Sequence, residues 1–294
     1  MAERTLSRRD VLRSGAVLAG GAAALGLDPS VIGAATFQGP HTAGAVRLGV
    51  ASYSLRNFPR DAMIRMVKAI GTPWVSLKSV HLPFEATPAE LSAARREIAS
   101  AGLEIVGGGT ITFGKDTDED VRRYFDYAKA AGMPLMTITA NPEILPRIER
   151  FAKQYDIRIA IHNHGPEDKR YPSPYDVLKL VKTMDPRIGL CIDVGHAART
   201  GTDVVRAIAD AGPRLLDMHI KDLRDAAAKE SQCIVGEGVL PIADIFRELG
   251  RIGYHGYVNL EYEIDAHDPL PGMQRSFAFM RGVLAGLATS ERRA

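Results

Sequence analysis

The sequence predicts an α/β protein, a closed (β/α)8 barrel in a single domain preceded by an export signal. Three observations carry that expectation. From Val46 onward, short apolar runs alternate with amphipathic segments about eight times, the pattern of strands each followed by a helix. No linker or low-complexity tract interrupts Val46 to Leu287, and roughly 250 residues is the usual size of one such barrel. No glycine-rich phosphate fingerprint follows the first run, where an open doubly wound sheet would carry one.

The candidate strands are Val46–Ser52, Trp74–Val80, Leu103–Gly107, Leu135–Thr139, Ile157–His162, Ile188–Asp193, Leu215–His219 and Tyr257–Glu261. Helix punctuation lies between them. Thr87-Pro88-Ala89-Glu90 offers an N-cap, a proline at the first helical position and a glutamate for a capping box, followed by Leu91, Ala94 and Ile98 on one face. Ser173-Pro174-Tyr175-Asp176 repeats the device before Val177-Leu178 and Leu180-Val181. Gly102, Gly132 and Gly253 sit where helices should stop, and a last helix over about Met273 to Leu287 closes the ring.

The first forty residues do not belong to this pattern. Ser7-Arg8-Arg9-Asp10-Val11-Leu12-Arg13 precedes an uncharged small-residue run from Ser14 to Leu27, too short and too rich in Gly and Ala to span a bilayer. The segment 1–36 resembles a twin-arginine export signal, with cleavage expected near Gly33-Ala34-Ala35 and the barrel occupying 45–290. That resemblance implies a periplasmic or extracytoplasmic protein, with no stable membrane insertion once the signal is removed. A net charge of +2 argues against nucleic acid as a partner, because dedicated binders concentrate a basic face. Two cysteines, Cys191 and Cys233, are too few for a disulfide framework, and Cys191 reads as a small core residue. Self-association is left open.

In such barrels the active site lies at the carboxyl ends of the strands. Side chains alternate faces along a strand, so His162 and His164 in the fifth point one way and Asn163 the other. The sixth ends in Asp193, with Gly189 and Cys191 below it on the same face. The seventh ends in His219, with Lys221 beyond it, and the eighth in Glu261 and Glu263. Four consecutive strands thus deliver His, Asp, His and Glu to one rim. One such residue alone is weak, since strand-end histidines are often structural and strand-end aspartates often cap the next helix. The set together suits Mn²⁺, Co²⁺, Zn²⁺ or Fe²⁺ better than Mg²⁺, which prefers oxygen ligands.

This constellation resembles the xylose isomerase-like TIM barrel superfamily, which contains sugar isomerases and epimerases and also endonuclease IV. The resemblance implies a divalent metal held by residues ending the fifth to eighth strands. Asp193-Val194-Gly195-His196 matches the family's D-x-x-H motif, and His219 in HIKD and Glu261 in NLEYE match the last two ligands. The departure is at the fifth strand, where relatives commonly read E-N-H-G and this chain reads His162-Asn163-His164-Gly165, continuing to Pro166-Glu167-Asp168. His162 therefore falls at a glutamate ligand's place. An imidazole can ligate a metal, but it is not a second carboxylate acid/base. The HNHGPED form is similar to a subgroup of sugar phosphate isomerase/epimerase type with some 3-keto-glycoside lyases or hydratases.

The implied reaction is removal of a proton beside the carbonyl of a sugar or keto-sugar, with Glu261 as ligand and base and His162, His164 or Lys78 across from it. The alternative uses the same atoms for β-elimination from, or hydration of, a 3-keto-glycoside; export favours it, because sugar phosphates are chiefly cytoplasmic. An endonuclease IV-like phosphodiesterase is disfavoured by glycines after strand three, where that cluster needs a histidine. A sugar-binding barrel without catalysis is disfavoured because Asp193, His219 and Glu261 stay together. Other rim residues carry two readings each. Lys78 orients a hydroxyl or acts as an acid, or is simply solvated. His81 is a pocket or a loop histidine. His196 touches substrate or a second ion. Lys221 and Glu263 bind substrate or pair with each other. Gly107-Gly108-Gly109 permits close sugar approach or makes a plain turn.

Overall fold

The computed structural model describes residues 46–291, so the export-signal reading of 1–36 lies outside the described residues. Among the described residues ten strands form in chain order: β1 (Arg47–Ala51), β2 (Trp74–Leu77), β3 (Glu104–Phe113), β4 (Leu135–Ala140), β5 (Arg158–His162), β6 (Ile188–Asp193), β7 (Leu215–Ile220), β8 (Asp222–Leu223), β9 (Gln232–Cys233) and β10 (Tyr257–Leu260). Eight of them close a parallel barrel in the order β1-β10-β7-β6-β5-β4-β3-β2, while β8 and β9 make a separate antiparallel pair. The β8–β9 pair was not foreseen; each strand has two residues, too few to show a period.

The outer layer comprises α1 (Arg60–Ile70), α2 (Pro88–Ser100), α3 (Asp118–Ala131), α4 (Leu145–Tyr155), α5 (Pro174–Val181), α6 (Val194–Arg199), α7 (Val204–Ala211), α8 (Ile242–Arg251) and α9 (Leu270–Glu291). Both expected capping boxes form, Thr87 with Glu90 at the start of α2 and Ser173 with Asp176 at the start of α5. Gly132 ends α3 in the left-handed conformation, which costs glycine nothing sterically. The period-3.6 stripes face the sheet: Leu91, Ala94 and Ile98 of α2 are buried, as are Ile242, Ile245, Phe246 and Leu249 of α8. Each large apolar side chain so buried contributes about 1.5–3 kcal/mol. The last helix is longer than the expected Met273–Leu287 and buries Met273, Phe277 and Met280, packing beside α1 and α8 to close the ring.

Inside the barrel the strands place side chains in layers. A small apolar layer contains Leu135, Ala160 and Cys191. Asp217 Oδ2 accepts from Thr137 Oγ1 at 2.9 Å, and Asp217 Oδ1 accepts from Asn259 Nδ2 at 2.9 Å. Burial pushes the Asp217 carboxyl up from the usual carboxylate range. Two residues beyond each of Cys191, Asp217 and Asn259, on the same face of their strands, come Asp193, His219 and Glu261.

One expectation is corrected here. Strand β3 does not stop at Gly107 but runs on to Phe113, so the glycine triplet lies within the sheet, beside a register shift against β4. Its glycines answer to packing. A Cβ on Gly108 would meet Met133 Sδ at 2.4 Å, and one on Gly109 would meet the Thr137 carbonyl oxygen at 2.1 Å with φ at +142°. Gly109→Ala is therefore expected to destabilise the protein by about 3 kcal/mol, because backbone cannot yield as a side chain can. Urea denaturation measures it; an unchanged midpoint would show that β3 and β4 can separate there without loss.

Candidate active site

Asn163, the residue pointing away from its neighbouring histidines, locks the ends of β5 and β6 together. Its Nδ2 donates to the Asp193 carbonyl oxygen at 3.1 Å, and its Oδ1 accepts from Asp193 N–H at 3.0 Å. Asp193 in turn caps α6, with Oδ1 accepting from His196 N–H at 2.9 Å. Asp193 and His219 are Cα partners across β6 and β7. This framework brings His162, Asp193, His219 and Glu261 together so that one nitrogen or oxygen from each lies within 4.8 Å of the others.

The geometry of these four fits a divalent cation. His162 Nε2 and His219 Nδ1 face each other at 3.1 Å, an arrangement that pairs them only if one carries a proton. His162 Nε2 is 3.6 Å from Asp193 Oδ2, and His219 Nδ1 is 3.3 Å from Glu261 Oε2. His162 Nδ1 is buried without a partner. The facing ring nitrogens need a proton or an ion between them, and two imidazoles with two carboxylates suit Zn²⁺, Co²⁺, Mn²⁺ or Fe²⁺. Cys191 also comes within reach of His162 and His219, but burial drives its thiol pKa well up, so it is a core thiol.

Lys221 dominates the electrostatics. Its Nζ lies 3.0 Å from Asp193 Oδ2, 2.9 Å from Glu261 Oε2 and 2.5 Å from Glu263 Oε1, with its side chain only 4% exposed. Lys221 and Glu263 thus pair with each other, one of the two expected readings, and Lys221 also binds two residues of the ligand set. Burial alone would raise the Asp193 and Glu261 carboxyls; the Lys221 ammonium outweighs it and holds both well below the usual range. Burial also opposes the charge on Lys221, and Asp193 and Glu261 reverse that.

The two imidazoles diverge. Burial lowers His162 to about 3, whereas at His219 the burial penalty is outweighed by Glu261 and the pKa rises to about 9. A metal-ligating imidazole must be neutral, so below about pH 9 the ion displaces a proton from His219. Apparent Mn²⁺ affinity is therefore expected to rise with pH up to about 9, by as much as tenfold per unit. Competition titrations across that range test it, and a flat profile would take His219 out of the ligand set.

The remaining candidates spread around the rim. The His164 ring lies 4.3 Å from His162 and 5.9 Å from His196 by centroid. Lys78 donates from Nζ to the Thr110 carbonyl at 3.1 Å and stacks at 5.4 Å from the Tyr53 ring centroid. Burial lowers its pKa while Glu261 and Glu263 resist, which places it within their field and argues against free solvation. His81 is a buried structural residue of the loops: Nδ1 meets Ser52 Oγ at 3.0 Å, and Nε2 lies 3.2 Å from the carbonyl oxygens of Leu55 and Phe58. With both ring nitrogens engaged, it has no site role to offer.

Two residues escaped the sequence reading. Arg199, with its side chain 6% exposed, pairs with Glu167 and places Nη1 3.5 Å from His196 Nδ1. Its spacing from His196, three positions along one helix, was the available signal. Gln232 spans from β9 to the eighth barrel strand: Nε2 donates to the Glu261 carbonyl at 2.7 Å, and Oε1 accepts from Glu263 N–H at 2.9 Å. No local pattern announces such a bridge. A cleft of about 230 Å³ beside the cluster is lined by His196, Arg199, Lys221, Lys229, Gln232 and Glu263 among others.

Known proteins agree with this architecture. The chain is 26% identical over 138 residues to the rhizopine catabolism protein MocC of Rhizobium meliloti, covering 42% of each. It is 23% identical over 160 residues to inosose dehydratase of Mesomycoplasma hyopneumoniae, covering 48% of this chain and 53% of that one. It thus spans about half the length of these curated relatives. The solved apo structure of 3-keto-D-glucoside 4-epimerase, YcjR, from E. coli superposes with a TM-score of 0.65 at 15% identity, over 81% of this chain and 99% of that one. Residues 64–283 match the family described as xylose isomerase-like TIM barrel, and the chain belongs to it.

Proposed function

We propose that this protein is a divalent-metal-dependent enzyme that removes a proton next to the carbonyl of a sugar or keto-sugar. The observation that carries the reading is Glu261: a carboxylate held ionised by Lys221 and His219, inside the ligand cluster and beside an open cleft. A bound cation would supply Lewis-acid polarisation of the substrate carbonyl, which makes the neighbouring C–H acidic enough for a carboxylate to take its proton. Glu261 is the base. The Lys221 ammonium offers a hydrogen bond to charge developing on substrate oxygen, and Lys78 is the nearby cation whose burial favours giving up a proton.

The cluster is lopsided. The carboxylates Glu261 and Glu263 follow the eighth barrel strand, while His162, His164 and His196 stand together on the β5 and β6 side, where the ligand-set carboxylate Asp193 is already engaged by Lys221 and the His196 N–H. That asymmetry favours a second reading, one-sided proton removal followed by β-elimination, over symmetrical epimerisation by two carboxylates. The named activity of one relative, inosose dehydratase, supports elimination, and that of the E. coli protein supports proton transfer on a 3-keto-sugar. The proposal extends to a periplasmic location, on the strength of the N-terminal arginine pair and its small-residue run.

Proton NMR in D₂O tests both readings, using Zn²⁺-loaded protein with a 3-keto-glucoside and then free ketohexoses. Release of the aglycone or formation of an unsaturated sugar would establish elimination. Deuterium in a rearranged but intact sugar would establish isomerase or epimerase chemistry. No exchange and no product, with the metal bound, would overturn the proposal.

A further inference from the structure

Strand β4 ends in a hydroxyl with no structural task. Thr137 spends its own hydroxyl on Asp217 inside the barrel, at 2.9 Å. Thr139 lies two residues further along the same face, at the carboxyl rim. It is 6% exposed, and its Oγ1 is buried without a hydrogen-bond partner among the described residues. His164 Nδ1, just beyond the neighbouring strand β5, is likewise buried without a hydrogen bond, and Asp168 Oδ2 stands off from it at 3.4 Å. Thr139 and His164 line one cleft of about 610 Å³, within the roughly 300–1,000 Å³ of small-molecule sites. Buried polar atoms are ordinarily paired, so two orphans lining the same cleft mark groups kept for a ligand.

The walls of this cleft are fixed. Tyr171 Oη donates to the Ala140 carbonyl at 2.8 Å, and the backbone N–H groups of His164 and Gly165 donate to the Tyr171 and Pro172 carbonyls at 2.9 and 3.0 Å. The loop after β5 is thereby pinned to the end of β4. Its charged lining cancels, Glu167 and Asp168 against Lys169 and Arg170. Asp168 lies 3.7 Å from Arg170, and Glu167 pairs with Arg199. Such walls favour an uncharged ligand. A hydroxyl group both donates and accepts, so a polyhydroxylated ring can satisfy a threonine hydroxyl and an imidazole nitrogen whichever way the imidazole is protonated.

The neighbours of Glu261 line a different space. Lys221, Glu263 and His196 belong to the cleft of about 230 Å³, and none of the three lines this one. The two clefts share a wall: the rings of His164 and His196 have centroids 5.9 Å apart, and Glu167 of one cleft pairs with Arg199 of the other. A sugar that reacts at Glu261 therefore leaves the Thr139 cleft open to a second ring. We propose that this cleft is a second sugar subsite, in which Thr139 and His164 hold the non-reacting ring of a disaccharide, with Thr139 as a specificity-determining residue. The chemistry of the reacting ring rests on the proposed function; the subsite does not.

The test is titration calorimetry of the full chain, Zn²⁺-loaded, with methyl cellobioside, sucrose and trehalose, none of which carries a carbonyl to react, against methyl glucoside as the single ring. Wild type should bind at least one of the three disaccharides on the order of tenfold tighter than methyl glucoside. Thr139→Val, which keeps the shape and removes the hydroxyl, should shrink that preference about three- to tenfold, the worth of one neutral hydrogen bond, and Thr139→Ser should keep it. In urea, Thr139→Val should unfold at or above the wild-type midpoint, because it buries no orphan hydroxyl. A wild type with no preference for any disaccharide would overturn the inference whether or not the variants fold. So would a Thr139→Val protein that keeps the full preference, or one that loses it only with a lowered midpoint, the mark of a structural hydroxyl. Thr139-dependent disaccharide binding by a protein that neither converts a 3-keto-glucoside nor exchanges its protons in D₂O would instead overturn the proposed function and leave the subsite standing.

Discussion

Lys221→Met should lower the stability of the metal-free protein by about 3–5 kcal/mol, the usual cost of leaving buried charges without their partner. Lys221 is the cation in contact with Asp193, Glu261 and Glu263 together. Asp193 is fully buried and the Glu261 side chain is 12% exposed, so water cannot replace the ammonium. Without it, the carboxyls would take up protons, at about 1.4 kcal/mol for each unit of pKa shift. The variant protein should recover with metal, because an ion that binds only the folded state at 100 times its dissociation constant adds about 2.7 kcal/mol. Urea denaturation with EDTA and with excess Mn²⁺ separates the two effects. A variant as stable as wild type in EDTA would mean that Lys221 does not compensate these carboxylates.

His162→Ala and Asp193→Ala should each weaken metal binding on the order of 10²–10³-fold, one ligand's share of the roughly 10–16 kcal/mol that a four-ligand site can supply. Asp193→Ala should be the more harmful to folding. It also strips the N-cap of α6, worth about 1 kcal/mol, and removes one of the partners of Lys221. His162→Ala removes a neutral imidazole whose Nδ1 has no protein partner, so its loss should fall mainly on the ion. Metal content after gel filtration and titration calorimetry decide the matter. Full metal retention by both variants would remove the proposed site.

The barrel was legible because its strands are apolar runs bounded by turn residues, and six of the eight barrel strands both start and end within a residue or two of the expected limits. The ligand set was legible because period-two alternation fixes which strand-end residues share a face, and the rim collects them. What stayed hidden depends on distance across the fold. Lys221 reads as a rim lysine until three carboxylates from two other strands converge on it. His81 reads as a pocket residue until the turn after β1 folds over its ring. The glycines of β3 read as a turn because their reason, the backbone of β4, lies nearly thirty residues away in sequence.

The Gln232 bridge has a mechanical consequence. Asp222 gathers the loop between β7 and α8 by accepting from the N–H groups of Gly236, Gly238 and Leu240, which makes that loop a stiff arm. Gln232 bolts the arm to the main chain on both sides of Tyr262, through the Glu261 carbonyl and the Glu263 amide. Tyr262 N–H is separately anchored to Ser54 Oγ, in the turn after β1. Leverage on this arm is therefore transmitted to the backbone that carries Glu261, and through Ser54 across the seam where the first and last strands of the barrel meet.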